Sequence, residues 1–169
     1  MAKREEFNRV KKEDELDRRM ISIRRVVKVV KGGRTLNFSA TMVVGDKKGH
    51  VGIGSGKASE TSVAVEKAFQ SAKKNMKFVN VVGFTIPHEV KGKFGTSEVL
   101  LQPAKEGTGV IASGAVRAVV DLAGIQDIVS KSYGGRNKIN TVKATLNGLL
   151  QLRTREQIAA LRGKKPEEI

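Results

Sequence analysis

The sequence predicts an α+β chain of two small domains, and three observations carry that reading. Residues 36–44 alternate apolar and polar side chains with a period of two, the pattern of a half-buried strand. An amphipathic helical period follows them after short glycine turns. The same succession of β-branched runs, glycine turns and helical periods starts again near Pro87. A sheet must cover its apolar face and an amphipathic helix must bury its stripe, so each half reads as a helix laid on a sheet. The 169 residues suit two such units.

Residues 1–20 mix charges almost without apolar spacing and read as a mobile or partly helical extension. Residues 21–31 are β-branched and read as a first strand, closed by a Lys31-Gly32-Gly33-Arg34 turn. In the second strand Leu36, Phe38, Ala40, Met42 and Val44 alternate with Asn37, Ser39, Thr41 and Val43. A turn over residues 45–49 leads to a third strand at 50–55. Ser59 is placed to cap a helix running to about Phe78. Val65, Phe69, Ala72 and Met76 mark its buried stripe, and Glu66, Gln70, Lys73 and Lys77 its wet one. This first unit reads βββα.

The second unit reads ββαβα. Strands are expected at 85–90 and 97–102, joined by a turn containing Gly92 and Gly95. A helix at 110–123, apolar nearly all round, reads as deeply buried and ends at Gly124. A third strand at 125–133, a loop at 134–137 and a helix capped by Asn140 complete it, with Val142, Leu146 and Leu149 inward. Thr154 and Gln157 form a capping-box pattern for a short helix to Arg162, ended by Gly163 and followed by a loose tail from Lys164.

Lysine and arginine number 32 against 17 acidic residues, a net charge of +15. The excess is uneven. Residues 21–80 hold twelve basic and three acidic side chains, a net of +9, while residues 81–151 hold eight and five, a net of +3. A concentrated excess reads as a footprint for a phosphate backbone, with an anionic membrane surface second. There is no cysteine, which excludes disulfides, thiol catalysis and thiolate zinc sites. No signal peptide or membrane span is visible, so the cytoplasm is the expected location.

The stretch Gly52-Ile-Gly-Ser-Gly56-Lys57 looks like a phosphate loop, but its spacing fails. Only three residues separate Gly52 from Gly56, and Ala58 stands where Ser or Thr would reach magnesium. Two readings remain: close backbone approach within a strand, or bare backbone and Lys57 meeting an RNA phosphate. Gly107-Thr108-Gly109 is likewise open between an anion site and a tight turn. His50 and His88 lack metal partners, Arg117 and Asp121 are spaced to pair along one helix, and no catalytic set or cofactor is indicated.

Five segments appear in order between about residues 18 and 151: Val30-Lys-Gly-Gly-Arg34, Val44-Gly-Asp46, the Gly52 to Lys57 run, Pro103-Ala-Lys-Glu-Gly-Thr-Gly109 and Tyr133-Gly-Gly-Arg-Asn137. Together they resemble the bacterial small-subunit ribosomal protein five family. The resemblance implies a charged extension over 1–17, a double-stranded-RNA-binding-like domain over 18–84, a ribosomal-type domain with a left-handed βαβ crossover over 85–153, and a short helix and tail over 154–169. It also implies 16S rRNA as partner, contacts with small-subunit proteins four and eight, a position near the messenger entry path, and roles in assembly and translational accuracy. The protein would be ribosome-bound and not an enzyme. The family's glycine hairpin, linked to spectinomycin sensitivity, matches Lys28, Lys31, Gly32, Gly33 and Arg34. The family's usual Tyr-Gly-Ser is Tyr133-Gly134-Gly135 here, with no hydroxyl at position 135.

Aromatics make up only 4%, and Phe38 and Phe69 fall on buried faces, so recognition of structured RNA by shape is expected rather than base stacking. The candidate RNA-binding residues are Arg24, Arg25, Lys28, Lys31, Gly32, Gly33, Arg34, Lys47, Lys48, Lys57, Lys73, Lys77, Thr108, Arg136 and Asn137. A free double-stranded-RNA-binding regulator and a nucleotide-dependent enzyme are the alternatives.

Overall fold

The computed structural model describes residues 16–165 and Glu168. The first fifteen residues of the expected extension, and residues 166, 167 and 169 of the tail, lie outside the described residues. Two four-stranded sheets form the scaffold. The first has the order β1-β2-β3-β4, built from β1 (Asp17–Val30), β2 (Gly33–Gly45), β3 (His50–Ala58) and the two-residue β4 (Lys77–Phe78), all antiparallel. Helix α1 (Thr61–Lys74) lies on one of its faces. The second sheet has the order β5-β6-β8-β7, from β5 (Val90–Phe94), β6 (Ser97–Pro103), β7 (Val110–Ile111) and β8 (Ile128–Gly134). Only β7 and β8 run parallel, with helix α2 (Gly114–Ala123) as the crossover between them. Helix α3 (Lys138–Leu149) packs on β5 and β6, and α4 (Arg155–Arg162) follows.

Several elements depart from expectation, each for a physical reason. β1 begins at Asp17, because Asp17 pairs with Gly45 and the charged residues 17–20 gain a ladder partner. β3 runs on to Ala58, so the glycine run is strand rather than loop. Glu60, not Ser59, stands at the N-cap of α1, without a side-chain bond. The helix ends at Asn75, since residues 77–78 pair with β3 instead. Lys77 therefore leaves the helical stripe. The buried stripe is Ala64, Ala68, Phe69 and Ala72, while Val65 and Met76 are half-buried.

In the second unit, residues 85–89 are not strand, and Gly92 lies inside β5 against Ala144 and Gly148 of α3. Residues 110–111 form β7 rather than the start of α2, because β8 offers them a parallel ladder. β8 starts at Ile128, after Ile125 has packed into the core. Asn137, not Asn140, caps α3, accepting from the Ile139 N–H at 3.2 Å. Arg117 donates to the Val110 carbonyl at 3.1 Å, leaving Asp121 to pair with Arg19 of β1 at 2.9 Å. Gly124 ends α2 in the left-handed region, and the Thr154–Gln157 capping box forms as expected.

The glycine run solves a packing problem. Gly52, Gly54 and Gly56 share one face of β3, and Ala72, Ala68 and Ala64 meet them from α1 at four-residue spacing. A Cβ at any of the three would fall within 3.0 Å of helix backbone. The structure thus chooses close backbone approach for this motif. Ile53, Ser55 and Lys57 point to the other face.

The two units share a core. Val43, Val51 and Val79 of the first join Val119, Leu122, Ile125 and Leu149 of the second in one cluster. The β2–β3 turn docks on the C-terminus of α2: Lys47 N–H donates to the Leu122 carbonyl at 3.0 Å and Gly49 N–H to that of Ala123 at 3.1 Å. These bonds satisfy carbonyls that a helix end leaves open. Asp46 holds the turn, accepting from the N–H groups of Lys48 at 2.8 Å and His50 at 3.0 Å, with the His50 ring at 2.8 Å. Burial by itself would raise the Asp46 carboxyl, but those donors outweigh it and hold it below its ordinary value. A lowered folded pKa gives stability that is complete above about pH 4 and lost as pH falls through the folded value. Asp46→Ala is therefore expected to lower unfolding free energy by about 1–2 kcal/mol near neutrality. The difference from the parent should shrink in denaturant titrations below about pH 4. A gap that stays constant with acidification would show that the carboxylate charge is not what holds the turn.

Candidate nucleic-acid interface

The first sheet has two unlike faces. On the α1 side, Phe38, Ala40, Met42 and Val44 bury against Ala64, Ala68, Phe69 and Ala72. The opposite face is covered near Val43 and Val51 by the second unit, and is open beyond. Strand register lays out the open part in rows. Arg24 pairs with Ser39, which pairs with Lys57. Val26 pairs with Asn37 and Lys28 with Thr35 further out. Ser55 pairs with Thr41 on the inner side, where Ile139 and Lys143 of α3 close in. The result is a hydroxyl, amide and ammonium surface without an aromatic ring.

The hairpin projects from this sheet. β2 pairs with β3 only as far as Phe38 and Ala58, whereas β1 and β2 stay paired to Val30 and Gly33. The two-stranded arm therefore extends about 16 Å beyond the third strand. Its α1-side face is uncovered, and Val29 is 73% exposed there beside exposed Val27 and Leu36.

Structure regroups the expected RNA residues. Arg24, Lys28 and Lys57 share the open face. Lys31, Gly32 and Gly33 form the arm's tip, and all three are exposed. Arg25 and Arg34 lie on the α1-side face, paired with Phe38 and Val29. Lys47 pairs with Asp17 at 2.5 Å, and Lys48 belongs to the docked turn. Lys73 is half-buried on α1, and Lys77 sits in β4. Thr108 closes its own turn by donating to the Lys105 carbonyl at 2.7 Å, Asn137 is used as a cap, and Arg136 is exposed. Sequence reasoning missed Lys143, which stands over the Phe94 ring at 4.7 Å, and the hydroxyl of Ser55. Neither carries a local signal, because their place depends on how the two units meet.

Among the described residues no cluster of His, Cys, Asp or Glu could hold a metal, and no helix is long and apolar enough to cross a membrane. A cationic, hydroxyl-bearing sheet with a protruding arm is the kind of surface that RNA-binding proteins present to a phosphate backbone. Comparison with family models matches residues 16–80 to the N-terminal domain of Ribosomal protein S5 and residues 92–162 to its C-terminal domain. Together these cover well over half of the chain, and the chain belongs to the ribosomal protein S5 family. It is thus a small-subunit ribosomal protein, associated with rRNA and other ribosomal proteins, and not an enzyme.

Proposed function

We propose that the open face of the first sheet and its hairpin arm grip 16S rRNA directly, by backbone and shape. The row of Arg24, Ser39 and Lys57 across three strands, continued by Asn37 and Lys28, carries this reading. Cations there meet phosphates, and the hydroxyls suit 2′-OH groups of a wide, shallow minor groove. The arm with Lys31 at its tip reaches a second RNA element, the place the family links to spectinomycin. Lys47 and Asn137 act by fixing the fold rather than by touching RNA. The second unit, with its smaller charge excess, faces protein neighbours, with small-subunit proteins four and eight as the expected ones. The family resemblance adds roles in assembly and translational accuracy and a position on the messenger entry side, in the cytoplasm. The division at residues 84 and 85 separates grip from junction.

Ultraviolet cross-linking inside native small subunits tests the reading. Peptides spanning residues 24–34 and containing Lys57 are expected to carry 16S nucleotides. Incorporated protein that cross-links to RNA only through the second unit would overturn it.

A further inference from the structure

A second RNA site of different chemistry lies between the two units. β1 contributes Arg19, Met20 and Ile21 to one wall of a cleft of about 760 Å³, and the end of β8 and the loop after it contribute Tyr133 and Arg136 to the other. Lys138 and the first turn of α2 complete it, and no acidic side chain lines it. The volume lies within the range of small-ligand pockets.

Two observations set this cleft apart from the sheet face, and a third equips it to hold a phosphate. It contains an aromatic ring: Tyr133 is 49% exposed and has no hydrogen-bond partner among the described residues. It has apolar walls, from Met20, Ile21, Ala115 and Ala118. Its cations Arg136 and Lys138 are unpaired among the described residues, whereas Arg19 is already held by Asp121. The loop presenting Tyr133 and Arg136 is also pre-set. Gly135 N–H donates to the Thr96 carbonyl at 3.1 Å, and the fully buried Ser97 hydroxyl donates to the Gly135 carbonyl at 2.8 Å.

An A-form duplex offers no exposed base face, so it has nothing to stack on the aromatic ring. A splayed-out nucleotide uses all of these parts. Its base stacks on a ring, its ribose lies on apolar wall, and its phosphate meets guanidinium and ammonium. We infer that the cleft holds one unstacked nucleotide of the bound RNA, with its base on Tyr133 and its phosphate between Arg136 and Lys138. The inference rests on the RNA reading above and adds a nucleotide-sized socket to it.

The chain has one tyrosine, so full-length protein carrying a labelled tyrosine gives a single ring resonance in NMR. Three probes are compared: an RNA hairpin with one bulged adenosine, the same hairpin without the bulge, and inorganic phosphate. The ring signal is expected to shift strongly with the bulged RNA, and little with the other two. The ratio of affinities for bulged over unbulged RNA should fall about tenfold in Tyr133→Ala and be retained in Tyr133→Phe. Unlabelled backbone spectra show whether either variant still folds. Equal shifts with both RNAs, or none while both bind, would overturn the socket and leave the duplex grip intact. A ring that moves only on adding small-subunit protein four or eight makes the cleft a protein contact and also overturns it. Failure of every RNA to bind at low salt removes both readings.

Discussion

Replacing Arg24, Lys28 and Lys57 together by alanine is expected to reduce the slope of log affinity against log salt by about two to three for small-subunit rRNA. Each cation that neutralises one phosphate contributes roughly 0.7–0.9 to that slope through counterion release. The three lie on one open face, with Arg24 and Lys57 flanking Ser39 across three strands, so one RNA backbone can meet them together. All three are exposed, and none supports the fold through an ion pair among the described residues, so the variant should melt like the parent. Arg25 and Arg34 supply the comparison, because they belong to the same hairpin but face the α1 side. Their removal should change the slope less per charge lost. An equal change per charge for both sets would mean that only net charge matters, and the open face would lose its special role.

That experiment differs from one designed on the sequence alone, which would group Lys28, Lys31 and Arg34 around the glycine turn. Strand register divides those three between one face, the tip and the other face. Turn position was legible, because paired glycines between β-branched runs act locally. Side-chain direction at the tip was not, because it depends on a pairing that a single residue's slip would invert. The capping box at Thr154 and the left-handed end of α2 at Gly124 were legible for the same local reason. Strands β4 and β7 were not. Each has two residues and exists only through a partner brought in from elsewhere in the chain.

The glycine run shows how one pattern supports two readings. Phosphate loops and close-packed strands both need backbone without side chains. The deciding information was in the sequence, but in a different element. Ala64, Ala68 and Ala72 recur at four-residue spacing, which makes a smooth helix face fitted to a smooth strand face. The docking of the β2–β3 turn onto Leu122 and Ala123 had no comparable signature, since more than 70 residues separate its partners. That contact ties the RNA-facing sheet to the second unit. The cleft beside Tyr133 lies between the same two units, with β1 on one side and the first turn of α2 and the loop after β8 on the other.

Gly54→Val is expected to destabilise the protein by about 3 kcal/mol or more, at the upper end of what overpacking costs. A Cβ at Gly54 would fall within 3.0 Å of the Ala68 carbonyl oxygen and of the Ala72 nitrogen and Cα. These are backbone atoms of a regular helix, so no side-chain rotation relieves the clash. Helix α1 must instead lift off the sheet, which parts its Phe69 from Ala40, Met42 and Val44 beneath and opens that small cluster. Larger neighbouring residues cannot absorb the change, because the cluster's contribution from α1 is mostly alanine. Ser55→Val places the same side chain one residue on, on the opposite, exposed face, and should leave the melting temperature within a few degrees of the parent. Thermal melts of the two variants therefore separate packing from β-propensity. Equal stability would mean that α1 can tilt freely over β3, and the glycine face would not be what sets their distance.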